Sequence, residues 1–270
     1  MADAMTRPLP EQRPPAGPDE FYVGYLPMPR SLLFHVRLFM PVVLWIAVGA
    51  AAIFSGSQAD PGGGAWRTGR PQAFEGRWES SPYPLLRVPS SKLGQPFETL
   101  LLVETGKFGS SKRADLRDGA LVRVSGWLIE RDGRSMIEME PGHDSMQRII
   151  NPAETDRDRL APPIPKPVGA ATLRGEIVDA KCYLGVMKPG HGKTHKECAT
   201  LCIAGGIPPM FVTKSADGTP RYLLLTDSTG RKLDDRLLPF VADPVEISGS
   251  LVELGDLTLF QINPATIRRL

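Results

Sequence analysis

Along most of this chain apolar and polar residues alternate in short runs broken by glycine, proline and aspartate. That is the pattern of β-strands whose two faces meet different surroundings. One stretch departs from it. Leu38 to Phe54 reads LFMPVVLWIAVGAAAIF, seventeen residues without a charge, at the lower limit of a membrane-spanning helix (roughly 17 to 25 residues). A buried core helix would show a polar face, and none appears. A cleavable signal sequence has a short basic start, whereas 37 residues precede this run and Ser57-Gln58-Ala59 is only a passable cleavage site. The expectation is one uncleaved transmembrane helix over residues 38–55. Arg30 and Arg37, reinforced by Arg7 and Arg13, outweigh Arg67 and Arg70 beyond the other end, which favours a cytoplasmic N-terminus. The expected location is therefore the inner membrane, single-pass, with the C-terminal body in the periplasm.

The cytoplasmic segment, residues 1–37, divides in two. Met1 to Glu20 is rich in proline and charge and is expected to be disordered. Phe21 to Arg37 carries Phe21, Tyr22 and Tyr25, which suit an interfacial aromatic belt or an apolar strip lying on a partner membrane protein. A linker over 56–72, with glycines at 62–64, leads to an internal repeat. Val122-Arg-Val-Ser-Gly-Trp-Leu-Ile-Glu130 matches Val245-Glu-Ile-Ser-Gly-Ser-Leu-Val-Glu253 at an offset of 123. Each run is followed by a Gly/Asp turn and a second apolar strand, Met136 to Met139 or Leu257 to Ile262, so each copy holds a hairpin. Phe74-Glu-Gly-Arg77 lines up with Leu173-Arg-Gly-Glu176 at an offset of 99. Two small β domains follow, 73–150 and 169–270, separated by a charged, proline-rich linker over 151–168.

The strand order in each copy, with a glycine in the middle of the long hairpin strand, resembles an OB-fold, the small Greek-key barrel. The resemblance covers both halves of the outer region and predicts a mainly β protein of two OB-like barrels. Gly126 and Gly249 fall where a barrel strand bends. OB-folds often bind oligonucleotides through exposed aromatics and basic grooves, but neither copy has such a set. With 32 basic against 30 acidic residues no excess cation is available to neutralise a phosphate backbone, so nucleic acid is excluded as a partner.

The two offsets differ by 123 minus 99, so the second copy holds 24 extra residues. This insertion, 180–207, contains all three cysteines and two of the four histidines. Thr194 and Glu197 form a capping box and Gly205-Gly206 a left-handed stop, predicting a helix from about His195 to Ala204. On it His195, Cys198 and Cys202 share a face, with Cys182 approaching from the preceding strand. Three readings stay open here. A disulfide could join Cys182 to Cys198 or Cys202, because cysteines one helical turn apart are poorly placed to pair with each other. Cys182, His195, Cys198 and Cys202 could instead bind copper or zinc. The thiols could also be small buried hydrophobes.

The C-x3-C step resembles the binuclear copper site of cytochrome oxidase subunit II, but the His and Met positions of that motif are Gly206 and Pro209 here. The C-x3-C-P signature of copper chaperones fails at Ile203. Taken whole, the D-x-x-C, H-x2-C-x3-C, G-G-I-P segment is similar to one found in bacterial membrane-attached proteins of unassigned activity. The resemblance implies a membrane setting and no particular reaction.

No P-loop, dinucleotide fingerprint, nucleophile elbow or H-E-x-x-H helix is present. His143-Asp144 reads as a solvated turn. The sequence therefore points to a non-catalytic accessory subunit, without a cofactor of its own. Its partners would be the lipid bilayer and the integral subunits of an energy-transducing complex, respiratory or photosynthetic. The alternative is a periplasmic copper, zinc or thiol-redox protein built on the insertion.

Overall fold

In the computed structural model the described residues are 28–58, 63–111, 118–150 and 160–270. The disordered head expected over Met1 to Glu20, the aromatic trio at 21–25 and residues 151–159 of the proline-rich linker lie outside them. Two compact units divide at Asp60 and Pro61.

The first unit contains one helix, α1 (Arg30–Ser57), with a mean hydropathy of 2.2 over its most apolar window, long and apolar enough to cross a membrane. It starts eight residues before the expected span. Nothing in Ser31 to Arg37 breaks a helix, and Pro29, whose carbonyl accepts from Leu33 N–H at 2.9 Å, stands at its N-cap. Pro41 lies inside the helix, at the cost of one backbone hydrogen bond.

The second unit is mainly β and consists of two closed five-stranded barrels, the second with a helical insertion. In the first barrel β2 (Gln72–Glu79), β3 (Leu85–Pro89), β4 (Phe97–Val103), β5 (Leu121–Arg131) and β6 (Arg134–Met139) run in the order β5-β2-β3-β4-β6, and β6 returns to β5. In the second, β8 (Lys166–Asp179), β9 (Pro209–Lys214), β10 (Pro220–Asp227), β11 (Pro244–Leu254) and β12 (Leu257–Ile262) repeat the circuit as β11-β8-β9-β10-β12. The fourth and fifth strands of each circuit, β4 with β6 and β10 with β12, are parallel, and all other neighbours are antiparallel. Short edge strands β7 (Met146–Arg148) and β13 (Arg268–Arg269) sit on equivalent sides. The linker does not hang free: β1 (Ala65–Trp66) pairs with β5, and β8 begins within the expected second linker.

Matching glycines explain why the repeat survives at these positions. Gly76 and Gly175 each lie on the next strand's backbone, where a Cβ would stand 2.2 Å from Arg87 O or Val212 O. Gly126 and Gly249, opposite Met139 and Ile262, would drive a Cβ to 2.3 Å from Glu138 O or Gln261 O. The strands coil tightly there because no side chain intervenes. The β5–β6 turn places Asp132 and Gly133 at φ 48° and 76°, the left-handed pair of a two-residue hairpin.

Each barrel keeps its own interior. Trp78, Leu86, Leu102 and Val124 fill the first, and Phe211, Leu225, Ile247 and Phe260 the second. A third cluster belongs to both, packing Tyr83, Leu101, Ile129 and Met136 against Cys182, Leu184, Met210 and Leu259. Tyr83 fixes the junction by donating to Leu225 O at 3.0 Å and accepting from Leu233 N–H at 3.3 Å.

Candidate metal centre at the barrel junction

The insertion leaves the second barrel after Asp179 and returns at Pro209, with Ala180 N–H bound to Pro208 O at 3.0 Å across its base. Asp179 is fully buried, and its Oδ1 accepts the Cys182 N–H at 2.8 Å, turning the chain directly off the strand. A single π-helical turn, Cys182–Val186, follows. Its Gly185 lies against the backbone of Ala65, where a Cβ would come within 2.6 Å.

Helix α2 (Lys196–Ala204) follows a 3-10 turn over Lys193–His195. The expected helix is present, but the capping box does not form: His195, not Thr194, takes the N-cap position, and no side chain caps it. The Gly205-Gly206 stop forms as expected after Ala204. Gly205 remains right-handed (φ −72°) and Gly206 turns left-handed (φ 99°). Gly206 N–H then reaches Ile203 O at 2.9 Å and Ile207 N–H reaches Cys202 O at 3.0 Å, the paired bonds of a Schellman end. Ile207 and Cys202 join the same apolar cluster, so the helix end also sets the depth of that cysteine.

These elements bring together all four residues expected from the sequence. Ligand atoms of Cys182, His195 and Cys198 lie within 4.8 Å of one another, as do those of Asp179, Cys182 and Cys202. Cys182 belongs to both groups, which places it against each of the helical cysteines. All three cysteines are free thiols. Cys182, Cys202 and His195 are buried, while Cys198 is half-buried. The remaining pair on the insertion separates: His191 packs on the Tyr183 ring, 6.1 Å between centroids, and belongs to neither group. His143 and Asp144 occupy an exposed 3-10 turn.

Three residues escaped the sequence reading. Asp179 Oδ2 lies 3.0 Å from His195 Nε2, both buried. A carboxylate behind an imidazole fixes its ring and tautomer and raises its basicity, as it does behind metal-bound histidines. The D-x-x-C spacing was its only signal. Lys107 comes from the other barrel, with Nζ 2.7 Å from Cys198 Sγ and 3.9 Å from Cys202 Sγ. Nothing in the pattern links residues 91 positions apart. Lys181, almost fully buried, reaches from the insertion into the first barrel. It donates to Glu104 O at 2.9 Å and Gly106 O at 2.7 Å and pairs with Glu138 at 3.2 Å. The loop carrying Lys107 is thereby held from below, and from the side by Gly109 N–H to Gly205 O at 3.0 Å.

The electrostatics divide the sulfurs. A hydrogen bond from the Cys182 thiol pulls Cys202 below the ordinary cysteine range against the effect of burial, with Lys107 assisting. The bond to Cys202, together with burial and the Asp179 charge, pushes Cys182 far up. The two shifts run in opposite directions, Cys202 toward easier ionisation and Cys182 away from it. Contact with Cys198 raises Lys107 in turn, keeping it an ammonium. A soft donor set of three sulfurs and an imidazole beside a fixed cation can bind a thiophilic metal ion or exchange electrons at sulfur.

No protein family and no curated protein matches the chain.

Proposed function

We propose that this is a membrane-anchored accessory protein whose two-barrel body stands outside the cytoplasm and carries a soft-metal centre. Copper(I) or zinc would be held by Cys182, Cys198, Cys202 and His195. The observation that supports this most directly is the convergence of three sulfurs and an imidazole backed by Asp179. A zinc–sulfur bond of about 2.3 Å sets tetrahedral sulfurs roughly 3.8 Å apart, so the two trios that share Cys182, each within 4.8 Å, close on one ion when the side chains of Cys198, Cys202 and His195 draw in around it. The Lys107 ammonium would offset the negative charge of a trithiolate site, which a buried position otherwise penalises. Elemental analysis of full-length protein purified in mild detergent tests the reading. It requires near-stoichiometric copper or zinc that is lost in Cys198→Ser, and metal-free protein after supply of both ions refutes it.

A second reading, a purely structural subunit of an energy-transducing membrane complex, rests on the apolar cluster shared by the barrels. That cluster makes them one stiff body suited to bracing neighbours. Copurification from native membranes with larger integral subunits supports it, and a strictly monomeric protein in mild detergent refutes it.

A further inference from the structure

The contact between Lys107 and Cys198 is unusually close. Sulfur is larger than oxygen, yet Nζ and Sγ approach to 2.7 Å, the near edge of what N–H···O bonds to the smaller atom reach (about 2.7 to 3.2 Å). Both partners are held there by backbone. Lys107 O lies where a Cβ on Gly205 would meet it at 1.8 Å, and Gly206 O lies where one on Gly109 would meet it at 2.0 Å. The loop and the helix end thus touch glycine to glycine. Cys198 is the accessible sulfur of the three, so an oxidant reaches it first.

We propose that Lys107 and Cys198 form an oxidative crosslink, an N–O–S bridge that bolts the first barrel to the insertion of the second. Hydrogen peroxide is the oxidant. In the first step the Cys198 sulfur attacks a peroxide oxygen; the O–O bond breaks, an S–O bond forms, and the products are a sulfenic acid and one water. In the second step the Lys107 ammonium first releases a proton to water, and the resulting amine and that sulfenic acid give up two electrons to another peroxide. The N–O bond closes, nitrogen and oxygen each lose a proton, and two waters leave. Overall one amine, one thiol and two peroxides yield one bridge and three waters. The bridge removes Cys198 from the thiol cluster, so the reduced, ligand-ready state and the bonded state exclude each other.

The proposal goes beyond the metal reading and does not depend on it, because the test uses chelator-stripped, reduced full-length protein in mild detergent. After limited peroxide treatment the protein is digested with trypsin without reductant and the peptides are weighed. The expected result is the Lys107 peptide joined to the Cys198 peptide, heavier than their sum by one oxygen less two hydrogens. Tryptic cleavage after Lys107 should be lost, and both changes should reverse with a thiol reductant. The linked species should be absent from Lys107→Arg and Cys198→Ser. The wild-type measurement stands alone should either variant fold poorly. Cys198 recovered as sulfinic acid, or in a disulfide, with Lys107 unlinked would overturn the proposal. A direct S–N link, lighter by the oxygen, would overturn it too.

Discussion

Replacing Lys181 with methionine tests how the two barrels hold the site together. The ammonium is 3% exposed and pairs with Glu138, itself 5% exposed, while also satisfying two carbonyls of the loop that carries Lys107. Methionine keeps much of the aliphatic stem and removes the charge, so the loss is electrostatic rather than a cavity. Breaking a buried pair by deleting one partner leaves an uncompensated charge and costs about 3–5 kcal/mol. The two carbonyls that lose a donor contribute within that figure and are not added to it, because the groups share one network. Urea unfolding of the full chain in detergent, followed by tryptophan fluorescence, reads the change through the fully buried Trp78. The Lys181→Met/Glu138→Gln double variant should recover part of the loss, since the orphaned carboxylate is gone. A single-variant loss below about 1 kcal/mol, the range of an exposed ion pair, would refute the reasoning. So would a double variant no better than the single one.

Three further outcomes follow from the same geometry. Gly109→Ala forces a methyl to 2.0 Å from Gly206 O, so it should destabilise the fold by about 1–3 kcal/mol and lower the yield of any product joining Lys107 to Cys198; urea melts and the peptide assay check both. Asp179→Asn, which keeps the Cys182 N–H acceptor but withdraws the charge behind His195, should weaken metal binding by about 10–100-fold in chelator competition. Asp243, bonded to Lys196 at 2.7 Å and Arg269 at 2.9 Å, is held below its ordinary value of 3.8, chiefly by Lys196. A depressed carboxyl stabilises the fold above its unfolded-state pKa and loses that contribution as pH falls through the folded value. Asp243→Asn should therefore cost stability at neutral pH and cost nothing once the pH is well below 3.8, as parallel melts across that range would show.

The barrels were legible because their strongest constraint is written locally. A V-x-V/I-x-G strand, a Gly/Asp turn with a glycine at positive φ and a second apolar strand specify a hairpin without distant help, and they occur twice. The 24-residue excess likewise delimited the insertion, which leaves the barrel after Asp179. What was hidden is what depends on contact between copies. Lys107 looks like an ordinary loop lysine until Gly109 and Gly205 bring its loop onto the helix end. Lys181 reads as surface charge until the first barrel closes over it. The misread helix start has a local cause: the 3-10 turn over Lys193–His195 displaces Thr194 from the cap and moves His195 into it, where its ring meets Asp179.

The glycine-to-glycine abutment carries a lesson about ancestry. A doubled domain ordinarily permits either half to be excised, exchanged or evolved alone. Here the undecorated half sets an ammonium beside sulfurs housed by its sibling, and at the loop carrying it the two halves meet backbone to backbone. The two halves share one cluster of charge and sulfur, so a chimera that grafts the cysteine-bearing half onto a foreign neighbour would inherit the sulfurs and forfeit their counter-charge.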